Sequence, residues 1–274
     1  MSNALVRICD DKRSHVATRK AQIGIAELES LARDASAPRG FHGALTAKYD
    51  NGEYGLIAEF KKGSPSRGLI RGDVNANDIA RAYERGGAAC ISVLTDTPHF
   101  LGSDADLEAA RKATSKPVLR KDFMVDVWQV AESRMLGADC ILVIIAALDD
   151  VLAAEIEAAA FEWGMDVLVE VHDRSELDRA LKLQSTLLGI NNRDLKSLRT
   201  NLSTTIELAP AAIASGRHIV AESGLHNRED LALAWNSGAR SFLIGESLMR
   251  QDDPEEAVRQ LLFGDDGENR KPEK

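Results

Sequence analysis

The chain has 274 residues, 44% of them hydrophobic and 28% charged, and a formal net charge of −9. That length holds one large domain or two small ones, with enough apolar residues for a sizeable core. The acidic balance argues against a general nucleic-acid or acidic-membrane surface, which needs a basic stripe, yet it leaves room for a locally positive pocket. The first twenty residues carry Arg7, Asp10, Asp11, Lys12 and Arg13 where a signal peptide would place an apolar core. Residues 11–33 then show a helical pattern with Val16, Ile23, Ile25, Leu28 and Leu31, broken at Pro38-Arg39-Gly40-Phe41. One or two added helices over residues 1–50, packed over one end of the following domain, are expected; a mobile arm is the alternative.

From residue 51 onward, short runs rich in Val, Ile and Leu recur at 55–60, 89–94, 117–121, 139–145, 166–171, 186–190, 218–222 and 241–245. They are near-continuous rather than alternating, as parallel strands covered on both faces should be. Helical patterns lie between them, as at 77–85, 127–136 and 149–163. Glycines stop several helices just before the next strand: Gly86-Gly87, Gly137, Gly164, Gly216 and Gly238. Eight strand–helix alternations predict an α/β fold, a single (βα)₈ barrel over residues 51–263. A doubly wound open sheet is the competing fold, but the segment after the first strand lacks the glycine fingerprint of nucleotide-binding sheets. Residues 264–274 are polar and read as a disordered tail. No apolar run approaches the ~20 residues needed to span a bilayer. Cys90 and Cys140 sit inside apolar runs and, with Cys9, show no ligand spacing, so a reducing cytoplasm is the expected compartment.

In such a barrel the residues at the C-terminal strand ends converge on one site. Six of the eight predicted strands end there in ionisable or amide groups: Glu59 and Lys61, Arg120 and Lys121, Glu170 and His172, Asn191 to Asp194, Glu222 and Ser223, and Glu246. One such charge is an ordinary loop residue; six at one end are not, because charges in a barrel mouth must pair or perform chemistry. Lys61 or Lys121, partly buried beside another cation, would have a lowered pKa suited to acid–base work. Glu59 and Glu170 would accept protons or hold the lysines, and His172 would play a supporting role. Ser223-Gly224 and Gly245-Glu246-Ser247 offer main-chain N–H groups to a phosphate after strands 7 and 8, with Ser64 adjacent around the ring. There is no metal-ligand set and no G-x-S-x-G elbow. A Schiff-base lysine stays open, since spacing does not separate it from an acid–base lysine.

The segments IAEFKKGSPSRG (57–68), ISVLTDTPHFLGS (91–103), PVLRKDFMVDVWQ (117–129), LVEVHDRSEL (168–177), GINNRDLKS (189–197), AESGLHNRED (221–230) and FLIGESLM (242–249) together resemble the indole-3-glycerol-phosphate synthases. The resemblance implies ring closure, decarboxylation and dehydration of 1-(2-carboxyphenylamino)-1-deoxyribulose 5-phosphate, without cofactor or metal. It assigns Lys121 as general acid, Glu170 as its partner, and Glu59 with Lys61 to the dehydration. Asn191 and Ser223 join the catalytic set, while Arg193 and Glu222 orient the substrate. Phe100, Phe123 and Leu142 would form an apolar wall for its ring, and Ser64, Gly224, Gly245 and Glu246 would hold its phosphate. Gly63, Leu101 and Asn201 depart from the family pattern without removing a catalytic group. The resemblance also implies a small-molecule substrate, no nucleic-acid or membrane partner, and a monofunctional monomer in weak association with other tryptophan-pathway enzymes. Two rival functions share part of the pattern: another phosphate-binding barrel isomerase, and a non-catalytic ligand-binding barrel.

Overall fold

The computed structural model describes residues 3–65, 67–194 and 197–264. Eight parallel strands form a closed barrel: β1 (Gly55–Phe60), β2 (Cys90–Leu94), β3 (Val118–Lys121), β4 (Cys140–Ile144), β5 (Asp166–Val171), β6 (Leu187–Asn191), β7 (His218–Glu222) and β8 (Ser241–Ile244). β1 closes the ring by pairing with both β2 and β8. Each strand is followed by at least one helix, so the fold is a (βα)₈ barrel rather than an open sheet. The strands are buried almost throughout, which explains their unbroken apolar runs. Glycine stops end the helices as expected, at Gly87 (φ 106°) and Gly238 (φ 116°) among others, where a side chain would strain the turn.

The N-terminal segment differs from the expected one or two helices over one end. It forms three: α1 (Asn3–Gln22), α2 (Ile25–Asp34) and α3 (Phe41–Asp50). The pattern over residues 11–33 is interrupted at Gly24, which is extended (φ −72°, ψ 154°) and starts α2. Consequently Val16 and Leu28 are buried while Ile25 and Leu31 are exposed. The segment also reaches both ends of the barrel. Leu5 of α1 borders the cavity at the C-terminal mouth, and α2 packs on the helix Trp128–Met135. Phe41 and Leu45 of α3 are fully buried at the N-terminal end, where His42 N donates to Asp166 Oδ2 at the start of β5 (2.9 Å). Of the polar tail 264–274, all but Gly264 lies outside the described residues.

Candidate active site

A cavity of about 690 Å³ opens at the C-terminal ends of the strands. Side chains alternate along a strand, so one residue near each end must face inward. In strand order, Glu59, Leu94, Lys121, Ile144, Glu170, Asn191, Glu222 and, just past β8, Gly245 border the cavity, together with Leu142, Leu243 and Ile244. Arg120, one residue before Lys121, faces the other way. It is buried among Asp104 (3.1 Å), Asp122 (3.3 Å) and Glu132 (3.0 Å), and so supports the structure outside the mouth.

Lys121 stands at the centre. Its Nζ donates to Glu222 Oε2 (2.8 Å) and Glu170 Oε2 (3.1 Å). The expected lowering of a lysine pKa does not occur here. Burial does disfavour the ammonium, but carboxylates rather than a second cation surround it, and Glu170, Glu222 and Glu59 hold its pKa well above the ordinary value. The two carboxylates beside it are driven apart. Burial would raise Glu170, but Lys121 and His172 outweigh it and hold that carboxyl well below the usual range. Burial pushes Glu222 up to about 8, with help from the charge on Glu170 and against the pull of Lys121. Its Oε1 is buried with no hydrogen-bond partner among the described residues. His172 lies behind Glu170, on the side away from Lys121. Its Nε2 lies 3.3 Å from Glu170 Oε1, and its Nδ1 is 3.0 Å from Glu176 Oε2. Burial opposes its charge, yet these two carboxylates raise it to about 10, so it is a cation at neutral pH. The row is therefore His172 cation, Glu170 anion, Lys121 cation and neutral Glu222.

A second pair stands beside the first. Lys61 Nζ donates to Glu59 Oε1 (2.7 Å), and Ser92 Oγ donates to Glu59 Oε2 (3.4 Å). Burial would raise Glu59, but Lys61 and Lys121 overcome it and keep the carboxylate ionised. Gly245 leaves room for it, since a Cβ there would meet Glu59 Oε1 at 2.7 Å and Glu59 Cβ at 3.0 Å and press the carboxylate to shift.

The cavity is apolar along one side. Phe100 and Phe123 meet with ring centroids 5.9 Å apart, above Leu94, Leu142 and Ile144. Ser223, Gly224, Gly245, Glu246 and Ser247 border the opposite end. Ser223 and Gly224 are consecutive left-handed residues (φ 64° and 76°), a conformation costly for serine and often kept where function needs it. Asn192 secures that turn, its Nδ2 donating to Glu222 O (3.0 Å) and Ser223 O (3.2 Å). Arg193 borders the cavity next to Asn191, whose Oδ1 accepts from Arg193 N (3.1 Å).

Fourteen of the fifteen site residues read from the sequence thus meet at one cavity. Ser64 does not border it. After Lys61 the chain turns into a short hairpin, Gly63–Ser64 against Gly68–Leu69, that carries Ser64 away from the lining. Two departures noted in the sequence touch each other there: a Cβ on Gly63 would lie 2.9 Å from Leu101 Cδ1, so glycine at 63 makes room for leucine at 101. Sequence reasoning missed Arg67, which reaches the cavity and lies 3.0 Å from Glu246 Oε1. Its place six residues beyond Lys61 in the same loop was the available signal. It also missed Ser92 and Gly189, both hidden inside apolar runs.

The model of one family, indole-3-glycerol phosphate synthase, matches residues 5–261. The chain belongs to that family. Indole-3-glycerol phosphate synthase of Azospirillum brasilense is 58% identical over 262 residues, covering 96% of this chain and 100% of the relative. The synthase of Rhizorhabdus wittichii is also 58% identical over 264 residues, with the same coverage. That of Zymomonas mobilis subsp. pomaceae is 50% identical over 262 residues, covering 96% and 99%. Among solved structures, thiamine phosphate pyrophosphorylase from Pyrococcus furiosus superposes with a TM-score of 0.57 at 15% identity, over 78% of this chain and 95% of that one. This distant likeness concerns the barrel alone. Membership of the indole-3-glycerol phosphate synthase family makes the chain an enzyme of tryptophan biosynthesis, and a decarboxylating lyase reaction fits the family. No helix among the described residues is long and apolar enough to cross a membrane.

Proposed function

We propose that the cavity binds 1-(2-carboxyphenylamino)-1-deoxyribulose 5-phosphate lengthwise and converts it to indole-3-glycerol phosphate, carbon dioxide and water. The observation that carries this reading is Lys121 held between Glu170 and Glu222, with the Lys61–Glu59 pair alongside. The substrate's ring lies on Phe100, Phe123 and Leu142. Its phosphate lies at Gly224, Gly245 and Glu246, held through main-chain N–H groups; Ser64 reaches it only if the hairpin moves toward the mouth. Arg193, Asn191 and Ser223 orient the portion between.

The ring carbon bearing the carboxylate attacks the C2′ carbonyl, and negative charge develops on that oxygen. Lys121 stabilises and protonates it, with the ionised Glu170 holding the ammonium in place. Because Lys121 binds its proton tightly, the site needs a resupply, and neutral Glu222 at 2.8 Å provides one. Carbon dioxide then leaves and its bonding electrons restore the ring. In the last step the C2′ hydroxyl departs as water with a proton from Lys61, and Glu59 takes the proton from C1′. We take the enzyme to act as a monomer in the cytoplasm, in weak association with other enzymes of the pathway.

Incubating purified protein with this substrate while following indole fluorescence tests the assignment. A folded protein that gives no signal overturns it. A role for neutral Glu222 also predicts a pH profile. Its carboxyl is protonated below about pH 8 and ionised above, so kcat/KM should fall on the alkaline side with an apparent pKa near that value. Glu222→Gln, which imitates the neutral form but cannot give up its proton, should remove that limb at a reduced plateau. An alkaline limb unchanged in Glu222→Gln would assign it to another group.

A further inference from the structure

The N-terminal helix contributes a buried charge to the mouth of the site. Lys12 of α1 is only 6% exposed, and its Nζ lies 3.0 Å from Asp96 Oδ1 and 2.7 Å from Asp122 Oδ1. Those carboxylates belong to two different loops. Asp96 follows β2 and caps the short helix Thr97–Phe100, accepting from His99 N (3.0 Å). Asp122 directly follows Lys121 and accepts from Phe123 N (2.7 Å) and Thr95 Oγ1 (2.7 Å). One ammonium therefore joins the loop that carries Phe100 to the loop that carries Lys121 and Phe123. Three further contacts seat the same helix on these loops and the helix beyond: Asp11 on His99 (3.0 Å), Arg19 on Glu132 (3.2 Å) and Lys20 on Asp126 (2.7 Å).

We propose that Lys12 is a positioning residue for the reaction, fixing the Phe100–Phe123 wall and the backbone of Lys121 by clamping Asp96 to Asp122. This rests on the reaction proposed above. Taking an ammonium and two carboxylates out of water is costly, and apolar residues of similar volume would hold a helix in place at least as well. What a buried ion triad adds is geometry: it satisfies its partners in one arrangement only. Loops at a barrel mouth are otherwise its most mobile parts. A reactive group displaced by about 1 Å can lose about 10²-fold in rate, so a clamp on two such loops acts on turnover and not only on folding.

The test is steady-state turnover of the full chain with Lys12→Met, Lys12→Arg and Asp96→Asn, each alongside thermal unfolding and at a temperature where the variant is folded. Lys12→Met should raise KM roughly tenfold and lower kcat severalfold. Lys12→Arg, which keeps the charge, should recover part of both. Asp96→Asn retains the helix cap but weakens the clamp from the Phe100 side, so it should raise KM in the same sense even if Lys12→Met fails to fold. In the double variant Lys12→Met/Phe100→Ala, the rise in KM should fall short of the product of the single effects, because both disturb one wall. Variants with KM and kcat within about twofold of wild type, or fully multiplicative double effects, overturn the proposal. An inactive wild type refutes the proposed reaction, and the role of Lys12 with it; an active wild type with unchanged variants refutes only the latter.

Discussion

Lys121→Ala is expected to lower kcat by about 10²–10⁴-fold, the usual contribution of a positioned general acid. Phosphate binding should persist, because no phosphate-site residue depends on that side chain, and inorganic phosphate should still bind with near-wild-type affinity. The variant should also lose stability, in a pH-dependent way. With the ammonium gone, Glu170, Glu222 and Glu59 remain buried together. Breaking a buried pair by removing one partner costs about 3–5 kcal/mol when the other stays charged. In wild type the raised pKa of Lys121 means its stabilisation is fully present below the ordinary lysine value of ~10.4 and is lost only as pH rises beyond that. In the variant the carboxylates hold protons more tightly than they would in the unfolded chain. The folded state then binds more protons, so its stability falls as pH rises above the ordinary carboxylate range. The deficit against wild type should be larger at pH 8 than at pH 5 in denaturant titrations. Turnover within tenfold of wild type would remove Lys121 from the acid role, and a deficit independent of pH would remove the carboxylates from the stability argument.

The barrel was legible because its period is simple. Eight buried parallel strands leave eight apolar runs, and positions 55–60, 166–171 and 218–222 match the observed strands end to end. The site was legible for a related reason: the C-terminal ends of predicted barrel strands mark where polar residues gather, so Glu59, Lys121, Glu170 and Glu222 stood out by position, while their separate roles came from the family resemblance. What linear sequence does not carry is which neighbour each charge meets. A partly buried lysine beside another cation suggested a lowered pKa, yet in space Lys121 is ringed by carboxylates from other strands. Lys12 lies in a surface-looking charged run, and only the fold brings α1 onto the mouth. The helix pattern at 11–33 spans parts of two helices, and the extended Gly24 between them left no mark in the apolar spacing.

Gly189 shows how an apolar-looking position can control the chemistry. It sits in the middle of β6, opposite Glu170 of β5 and Val220 of β7, in a run that reads as ordinary core. A Cβ on it would lie 2.2 Å from Glu222 Oε1, 3.3 Å from Glu222 Cδ and 3.4 Å from Leu168 Cδ1. The first contact cannot be tolerated, but it is with the end of a side chain, so the carboxylate must move. Gly189→Ala should therefore cost only about 1–3 kcal/mol in stability, the range for a small overpacking. Its effect on turnover should be larger. Moving Glu222 breaks the 2.8 Å contact with Lys121 and takes away the proton source, and displacement of a catalytic group by about 1 Å can cost about 10²-fold in kcat. The alkaline limb attributed to Glu222 should shift with it, because the carboxyl loses the environment that holds it neutral. Shortening the displaced side chain in Gly189→Ala/Glu222→Asp relieves the clash and should recover stability, while activity stays low because aspartate falls short of Lys121. Full activity in Gly189→Ala would show that the position of Glu222 against Lys121 does not matter to the reaction.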